Sequence, residues 1–442
     1  MTRVLFVAVN STSLNGFAGL SKESSSFDCK PFIFYPQELD IPISCEAITP
    51  ENYMECSWFD DSNLFRPLKR LMNRFSSVFR RLSWEIDFQK KTKAAFAILG
   101  KFRIERMYCY GDRSFGWELA FQKAARELSI KILIPQIAFF SECQNLLATT
   151  RKLSQSSLRQ LDVSRNTVFK KKYPKQWRHD TVSGRDFSYY PIWLVSHLDR
   201  EKLLNPNPWS MGCGLCDLIL TESKIARKRL VENGTPESKI KIVGCRSFDH
   251  LHKSFENKQE IKKIVIEKYN LCDKQKVIII SLPQLYEHNL ATNEEHWVIQ
   301  KTICDHAQKT DSNVLLSLHP KMQRKEYLFL QDDYGCKILK EDLHTVLPVA
   351  DLYLVGQGSS TIPWAVLSEV PLIILDSYGL EYDYYDWIKC AKIIKNISAL
   401  NSCMEEMLQN LSLRSKTKKE LQELKEHYIF DGHSLDRIFK VC

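Results

Sequence analysis

Two short strings in this chain carry residue types suited to holding a phosphate. One is Leu316-Ser317-Leu318-His319-Pro320 and the other is Gly356-Gln357-Gly358-Ser359-Ser360-Thr361. A histidine before Pro320 is kept extended, so its ring can reach a phosphate or a leaving oxygen, although a purely structural histidine also fits the string. A Gly-Ser-Ser turn that opens a helix presents backbone N–H groups, hydroxyls and the positive end of the helix dipole to an anion. Gly358, Ser359, Ser360 and Thr361 supply that turn, and Pro363 suits the first turn of the helix behind it. A capping hydroxyl and a nearby N–H can serve the same phosphate, and the anion this chemistry points to is that of a nucleotide-activated substrate.

Other polar residues stand where strands run out. Gly111-Asp112 follows an apolar run, and Asp112 is a candidate base for a sugar hydroxyl or an N-cap of the next helix. Gln284, Glu287 and His288 follow Pro283, just past another run, and read as ligand contacts or as an ordinary polar loop. Asp376 and Glu381 are placed to meet a ribose or sugar hydroxyl, and Tyr382, Tyr384, Tyr385 and Trp387 can stack on a base or fill a core. The chain has no Gly-x-Gly-x-x-Gly after a strand, no Walker loop, no zinc-type Cys/His spacing and no Gly-x-Ser-x-Gly elbow. Asp-x-Asp is missing too, so the expected chemistry uses no cofactor and no obligatory metal. Protein dipoles and a cation would stabilise the departing phosphate.

These residues need strands to aim them. Val314–Leu318 and Asp351–Val355 are apolar runs that stop at the two strings, and Thr361–Val370 reads as a helix. Val4–Val9, Arg106–Tyr110, Ile130–Ile134, Asp217–Thr221, Lys239–Val243 and Lys276–Ser281 read as further strands, with helices over Trp117–Leu128, Ser223–Asn233 and Glu294–Lys309 between them. Gly234 ends the second of those helices. This alternation is the pattern of parallel sheets with right-handed crossovers, and open sheets of that kind bind ligands at the carboxyl ends of their strands. With 442 residues, the fold class expected is α/β, as two Rossmann-like domains facing across a cleft, one over 1–265 and one over 266–442. The lysine-rich stretch Ser254–Tyr269 separates them, and Asn401–His427 forms a helical tail. Asp112 and His319, each closing a strand in a different domain, would meet across the cleft.

The 14 cysteines show no paired framework, no 18-residue apolar run is present, and the start Met1–Val9 reads as a strand rather than a leader, which together suggest a cytoplasmic protein with reduced thiols. The net charge of +9 is concentrated in two insertions. In 63–84, Leu68, Leu71, Met72, Phe75, Phe79 and Leu82 fall on one helical stripe, with Lys69, Arg70, Arg74, Arg80 and Arg81 around it. Such a helix either lies on an anionic membrane surface or turns its apolar face to a core. The stretch 151–185 holds ten Lys or Arg against Asp162 and Asp180, interleaved with Phe169, Tyr173 and Trp177. It suits a polyanionic saccharide, a phospholipid-linked acceptor or an ordinary loop. Nucleic acid ranks last, because no zinc-finger, RNA-recognition or helix-turn-helix pattern accompanies it.

Taken together these strings resemble the GT-B glycosyltransferases and the UDP-N-acetylglucosamine 2-epimerases built on the same plan. Asp217 to Ser223, Leu230 to Gly234 and Ile240 to Asp249 are similar to the end of their first domain, Asn205 to Gly214 looks like surface-polysaccharide members, and Gly111-Asp112 matches an early Gly-Asp of the epimerases. The epimerase segment expected near Ile134 to Phe140 is absent, and Gly358-Ser359-Ser360 replaces the epimerase Ser-Gly-Gly turn. His319-Pro320 with Ser359-Ser360 is instead similar to the His-Pro and Ser-Ser motifs of bacterial sialyltransferases and capsule glycosyltransferases, where the pair binds the nucleotide of a CMP-sugar. The resemblance implies an inverting glycosyltransferase that takes a CMP- or UDP-linked sugar to a saccharide or lipid-linked acceptor in capsule, lipopolysaccharide or related surface glycan, at the inner face of the cytoplasmic membrane. An epimerase-like or CDP-glycerol phosphotransferase-like enzyme, or a non-catalytic GT-B scaffold that binds glycan or membrane, are the alternatives.

Overall fold

The computed structural model describes residues 1–37, 45–50, 53, 77–137, 140, 143–152, 155–287, 290–377, 379 and 383–441. The chain divides into two compact units, Met1–Cys245 with Leu435–Cys442, and Arg246–Ser434. The division therefore falls at 245/246, ahead of the lysine-rich stretch, rather than at 265/266 within it. That stretch belongs to helices Arg246–Glu256 and Lys258–Tyr269 at the start of the second unit.

In the first unit the strands are β1 (Thr2–Val7), β2 (Cys29–Phe34), β3 (Glu46–Ile48), β4 (Arg106–Cys109), β5 (Lys131–Pro135), and later β8 (Leu218–Thr221) and β9 (Ile240–Ile242). They form one parallel sheet in the order β3-β2-β1-β4-β5-β8-β9. Helices cover both faces, which is why strand segments such as Val4–Val7 are apolar without interruption. Alternate residues serve different cores: Leu5 and Val7 pack with Phe32, Phe34 and Phe121, whereas Val4 and Phe6 pack with Leu14, Phe17 and Tyr108. Each such side chain contributes on the order of 1.5–3 kcal/mol by leaving water. The segment Leu435–Cys442 completes the second of these cores, with Ile438 and Phe439 buried in it and Arg106 Nη1 donating to the Phe439 carbonyl at 2.7 Å.

Between β5 and β8 the chain forms a layer of its own. Helix Thr167–Lys172, the antiparallel hairpin β6 (Trp177–Asp180) and β7 (Arg185–Ser188), and helix Ile192–Arg200 follow one another. Phe169, Tyr173 and Trp177 point into a core with Trp84, Phe88 and Tyr190, so the aromatics of this basic insertion hold its own fold together. Its cations are partly paired: Arg151 with Asp180, and Lys170 with Asp186 at 2.7 Å.

The strands of the second unit are β10 (Val277–Ser281), β11 (Asn313–Ser317), β12 (Lys337–Ile338), β13 (Leu352–Gly356), β14 (Leu372–Leu375) and β15 (Lys392–Ile394). They are parallel in the order β12-β11-β10-β13-β14-β15. Two strands, β11 and then β12, step outward from β10, and the chain then returns to lay β13 on its other side. This is the dinucleotide-fold order, with the switch in direction between β10 and β13. The first unit repeats it, with the switch between β1 and β4.

Candidate functional site

The switch point of the second unit is where its hydroxyl groups gather. β10 ends at Ser281 and β13 at Gly356, and the loop beyond β13 carries Gly358, Ser359, Ser360 and Thr361. Ser281 Oγ lies 2.7 Å from Tyr353 Oη, which lies 2.6 Å from Thr361 Oγ1, itself 2.8 Å from Ser359 Oγ. Four hydroxyls thus form one chain from the first strand of the sheet to the Gly-Ser-Ser turn. Burial raises the Tyr353 hydroxyl to about 12, so it stays protonated and able to donate. Gly358 has φ +79°, a left-handed conformation that favours glycine, and a Cβ on Gly356 would sit 3.1 Å from Pro283 Cβ. The helix behind the turn runs only from Ile362 to Leu367, shorter than the one read from sequence, because Glu369 turns to φ +58° and Pro371 follows.

His319 and Pro320 stand two and three residues beyond the end of β11. The His319 Nδ1 accepts the Lys321 N–H at 3.1 Å, which leaves Nε2 to carry the proton of the neutral ring. Gln284 and Glu287 follow β10. Glu287 accepts from Tyr327 Oη at 2.8 Å, and that hydroxyl lies 2.8 Å from His296 Nε2. Because Tyr327 donates to Glu287, His296 donates through Nε2, and burial holds its ring neutral by pushing its pKa down. The relay fixes the loop after the first strand. His288 and Glu381 lie outside the described residues, as do Lys69, Arg70, Arg74 and most of the first basic insertion.

Asp376 ends β14 as expected but is only 2 % exposed. Tyr384 and Tyr385 are buried edge-to-face against each other, and Trp387 packs near Tyr428, which is core packing rather than an open stacking platform. A cavity of about 310 Å³ in this unit is lined by Asn313 and Lys337 at the starts of β11 and β12, the edge of the sheet opposite to the hydroxyl chain.

In the first unit the residues beyond β4 are held by a buried polar network. Glu118 accepts from the N–H groups of Tyr110 and Gly111, both at 2.9 Å, and Gln122 Nε2 donates to the Gly111 carbonyl at 2.6 Å. Asp112 is 4 % exposed, and its two oxygens accept from Gly212 N at 3.1 Å and Gly214 N at 2.6 Å. Its carboxylate therefore ties the 212–214 loop to β4 and caps no helix; helix Trp117–Glu127 begins after Gly116. Burial pushes the Asp112 carboxyl up, while the two backbone donors pull it back. Sequence reading missed Glu118, Gln136 and Glu222. The signal for Glu118 was a carboxylate in the first turn of a helix just after the Gly-Asp string; Glu222, straight after β8, looked like part of a helix start.

No protein-family model matches the chain, and no curated protein matches it in sequence. Solved structures match along nearly its whole length. A UDP-N-acetylglucosamine 2-epimerase from Neisseria meningitidis bound to UDP-GlcNAc is 11% identical with a TM-score of 0.52, covering 99% of this chain and 98% of that one. The calicheamicin glycosyltransferase CalG4 is 11% identical with a TM-score of 0.55, over 99% and 96%. A wall teichoic acid polymerase, TagF, is 10% identical with a TM-score of 0.54, over 100% and 88%. The chain has the two-domain α/β fold of the GT-B glycosyltransferases and the UDP-N-acetylglucosamine 2-epimerases. Among the described residues no three His, Cys, Asp or Glu side chains gather as metal ligands, and no helix is long and apolar enough to cross a membrane.

Proposed function

We propose that this protein is a metal-independent glycosyltransferase that moves a sugar from a nucleotide-sugar to a saccharide or lipid-linked acceptor of a surface glycan. The observation that carries the reading is the hydroxyl chain Ser281–Tyr353–Thr361–Ser359 at the switch point of the second unit. It gives the Gly358-Ser359-Ser360-Thr361 turn a fixed set of donors at the place where open α/β sheets bind nucleotides. His319 would act at the leaving phosphate through its Nε2–H, with Pro320 holding it extended, and Gln284 and Glu287 would border the nucleotide. Solved structures of the same fold hold UDP, UDP-GlcNAc and thymidine diphosphate, which supports a nucleotide-linked donor.

Asp112 is given a different role from that of an open base. With both oxygens taken by backbone N–H groups it positions the 205–214 loop, which is where an acceptor would be shaped. The basic stretch 151–185 and the Arg80–Arg81 pair would favour an anionic acceptor or a peripheral site on anionic lipid at the cytoplasmic face. Calorimetry with UDP, CMP and TDP tests the donor site: binding of one of them, weakened in Ser359→Ala and Thr361→Val, is the expected result. No binding of any of the three would remove the reading. Product analysis with the bound nucleotide's sugars then separates transfer, which frees the nucleotide, from epimerisation, which does not.

A further inference from the structure

Three buried carboxyls stand near the carboxyl edge of the first unit's sheet, and two of them are committed to backbone. Asp112 holds Gly212 and Gly214, and Glu118 holds Tyr110 and Gly111. Glu222, directly after β8, is different. Its own N–H and the Thr221 hydroxyl donate to Gln136 Oε1, at 3.0 and 2.7 Å, while among the described residues no backbone N–H donates to its carboxyl. Gln136 follows β5, the neighbouring strand, so the two residues sit side by side at adjacent strand ends. Because Gln136 Oε1 accepts a backbone N–H, the amide cannot be turned over, and its Nε2 is buried without a well-aligned hydrogen bond. Glu222 is 8 % exposed and Gln136 5 %. Burying a carboxyl and an amide hydrogen without full partners costs stability, and such groups are kept where a ligand or a proton uses them.

We propose that Glu222 is the catalytic carboxyl that takes the proton of the acceptor hydroxyl, with Gln136 as the positioning residue that sets the strand end carrying it. This rests on the glycosyl-transfer reading above. In the step, the acceptor oxygen bonds to the anomeric carbon as the bond from that carbon to the phosphate oxygen breaks. The electron pair leaves with the nucleotide, and the hydroxyl proton passes to the Glu222 carboxylate and then to water. Burial pushes the Glu222 carboxyl up to about 8, and the Gln136 amide pulls the other way; no charged side chain among the described residues acts on it. The active form is the carboxylate, so turnover rises with pH and levels off above about 8.

The test uses whichever of UDP-, CMP- and TDP-linked hexoses calorimetry shows to bind the full chain. Nucleotide release with water as acceptor is followed from about pH 6 to about pH 10, roughly two units either side of the expected limb. Expected is a limb near pH 8 in the parent, its loss in Glu222→Gln with a fall of about 10²–10⁴ in rate, and donor affinity unchanged. Glu222→Asp keeps a carboxyl and should retain a limb at reduced rate, which a merely loosened fold would not do. A parent that binds a donor but shows no limb, or does not break the donor down at any pH, overturns the inference and leaves the donor site standing. So does Glu222→Gln with the parent's rate and limb. A parent that binds no nucleotide-sugar overturns the transfer reading and this inference with it.

Discussion

At the scale of single residues, the carboxyls of the first unit are the sharpest probes. Burial raises Glu118 to about 7 and Glu222 to about 8 from an ordinary value of 4.5, so the folded chain keeps protons that the unfolded chain has lost. Such groups favour folding fully only at low pH, and the benefit declines as pH rises from about 4.5 to 8. Glu222→Gln removes one of these protons from the balance. It should melt higher than the parent at pH 8.5 and show a flatter dependence of melting temperature on pH between 5 and 8.5; a steeper one would contradict the buried, neutral carboxyl. Asp112→Asn has the opposite sign, since an amide cannot accept from both Gly212 and Gly214. It should destabilise by roughly 1–3 kcal/mol in chemical denaturation. If His319 acts at the leaving phosphate as proposed, His319→Ala should slow transfer by about 10²–10³ with little change in melting. The Gly111-Asp112 string was legible as a strand end. That its carboxylate was already occupied was not, because Gly212 and Gly214 lie a hundred positions away along the chain.

At the scale of elements, apolar runs gave the central strands away. β1, β4, β5, β10, β11, β13 and β14 are buried on both faces and read as unbroken hydrophobic segments. β2 did not announce itself, because Lys30 and Pro31 interrupt it. Pro31 is tolerated there because β3 pairs only with Phe32, Ile33 and Phe34, so the start of β2 has a neighbour on one side alone. The fold of the second basic insertion was likewise not legible: it read as an anionic-ligand site or an ordinary loop, since its aromatics follow neither a strand nor a helix period for long. The hydroxyl chain was half legible: Ser359 and Thr361 belonged to a recognisable turn, but Tyr353 sat inside a strand as an apparent core residue. Tyr353→Phe breaks the chain at its centre and leaves Ser281 and Thr361 without their shared partner. It should cost on the order of 1–3 kcal/mol of stability and weaken nucleotide binding, and an unchanged affinity would separate the chain from the donor site. Gly212→Ala should be harsher, because φ is +90° and its Cβ would come within 2.1 Å of Ile219 Cδ1.

At the scale of the whole molecule, the charge pattern has a measurable consequence. Arg81 is paired with Glu85 at 2.9 Å, whereas Leu82 and Ile86 on the same helix, Ser77–Lys101, are half exposed, as is Phe115. Leu82 is therefore not part of a core-facing stripe, whereas Trp84 and Phe88 pack inward, stacked on each other with the Trp84 ring edge-on to His197. Exposed apolar side chains beside arginines favour an anionic bilayer surface, each cation contributing roughly 1 kcal/mol and fading with salt. Flotation with phosphatidylserine vesicles should recover the protein at low salt and lose it at high salt, and equal recovery on neutral vesicles would sink the idea.

The return of Leu435–Cys442 to the first unit sets an order of events during synthesis. Domains ordinarily fold in the sequence in which they leave the ribosome. Here the first unit waits for Ile438 and Phe439 to fill the core around Phe6 and Tyr108, and these residues emerge only after all of Arg246–Ser434 has been made. The later unit can mature while the earlier one is still unfinished, with one face of its sheet lacking its last apolar cover. A nascent chain stalled before residue 435 should therefore yield a protease-resistant second unit and a first unit that is still cut, and release of the final segment should seal it.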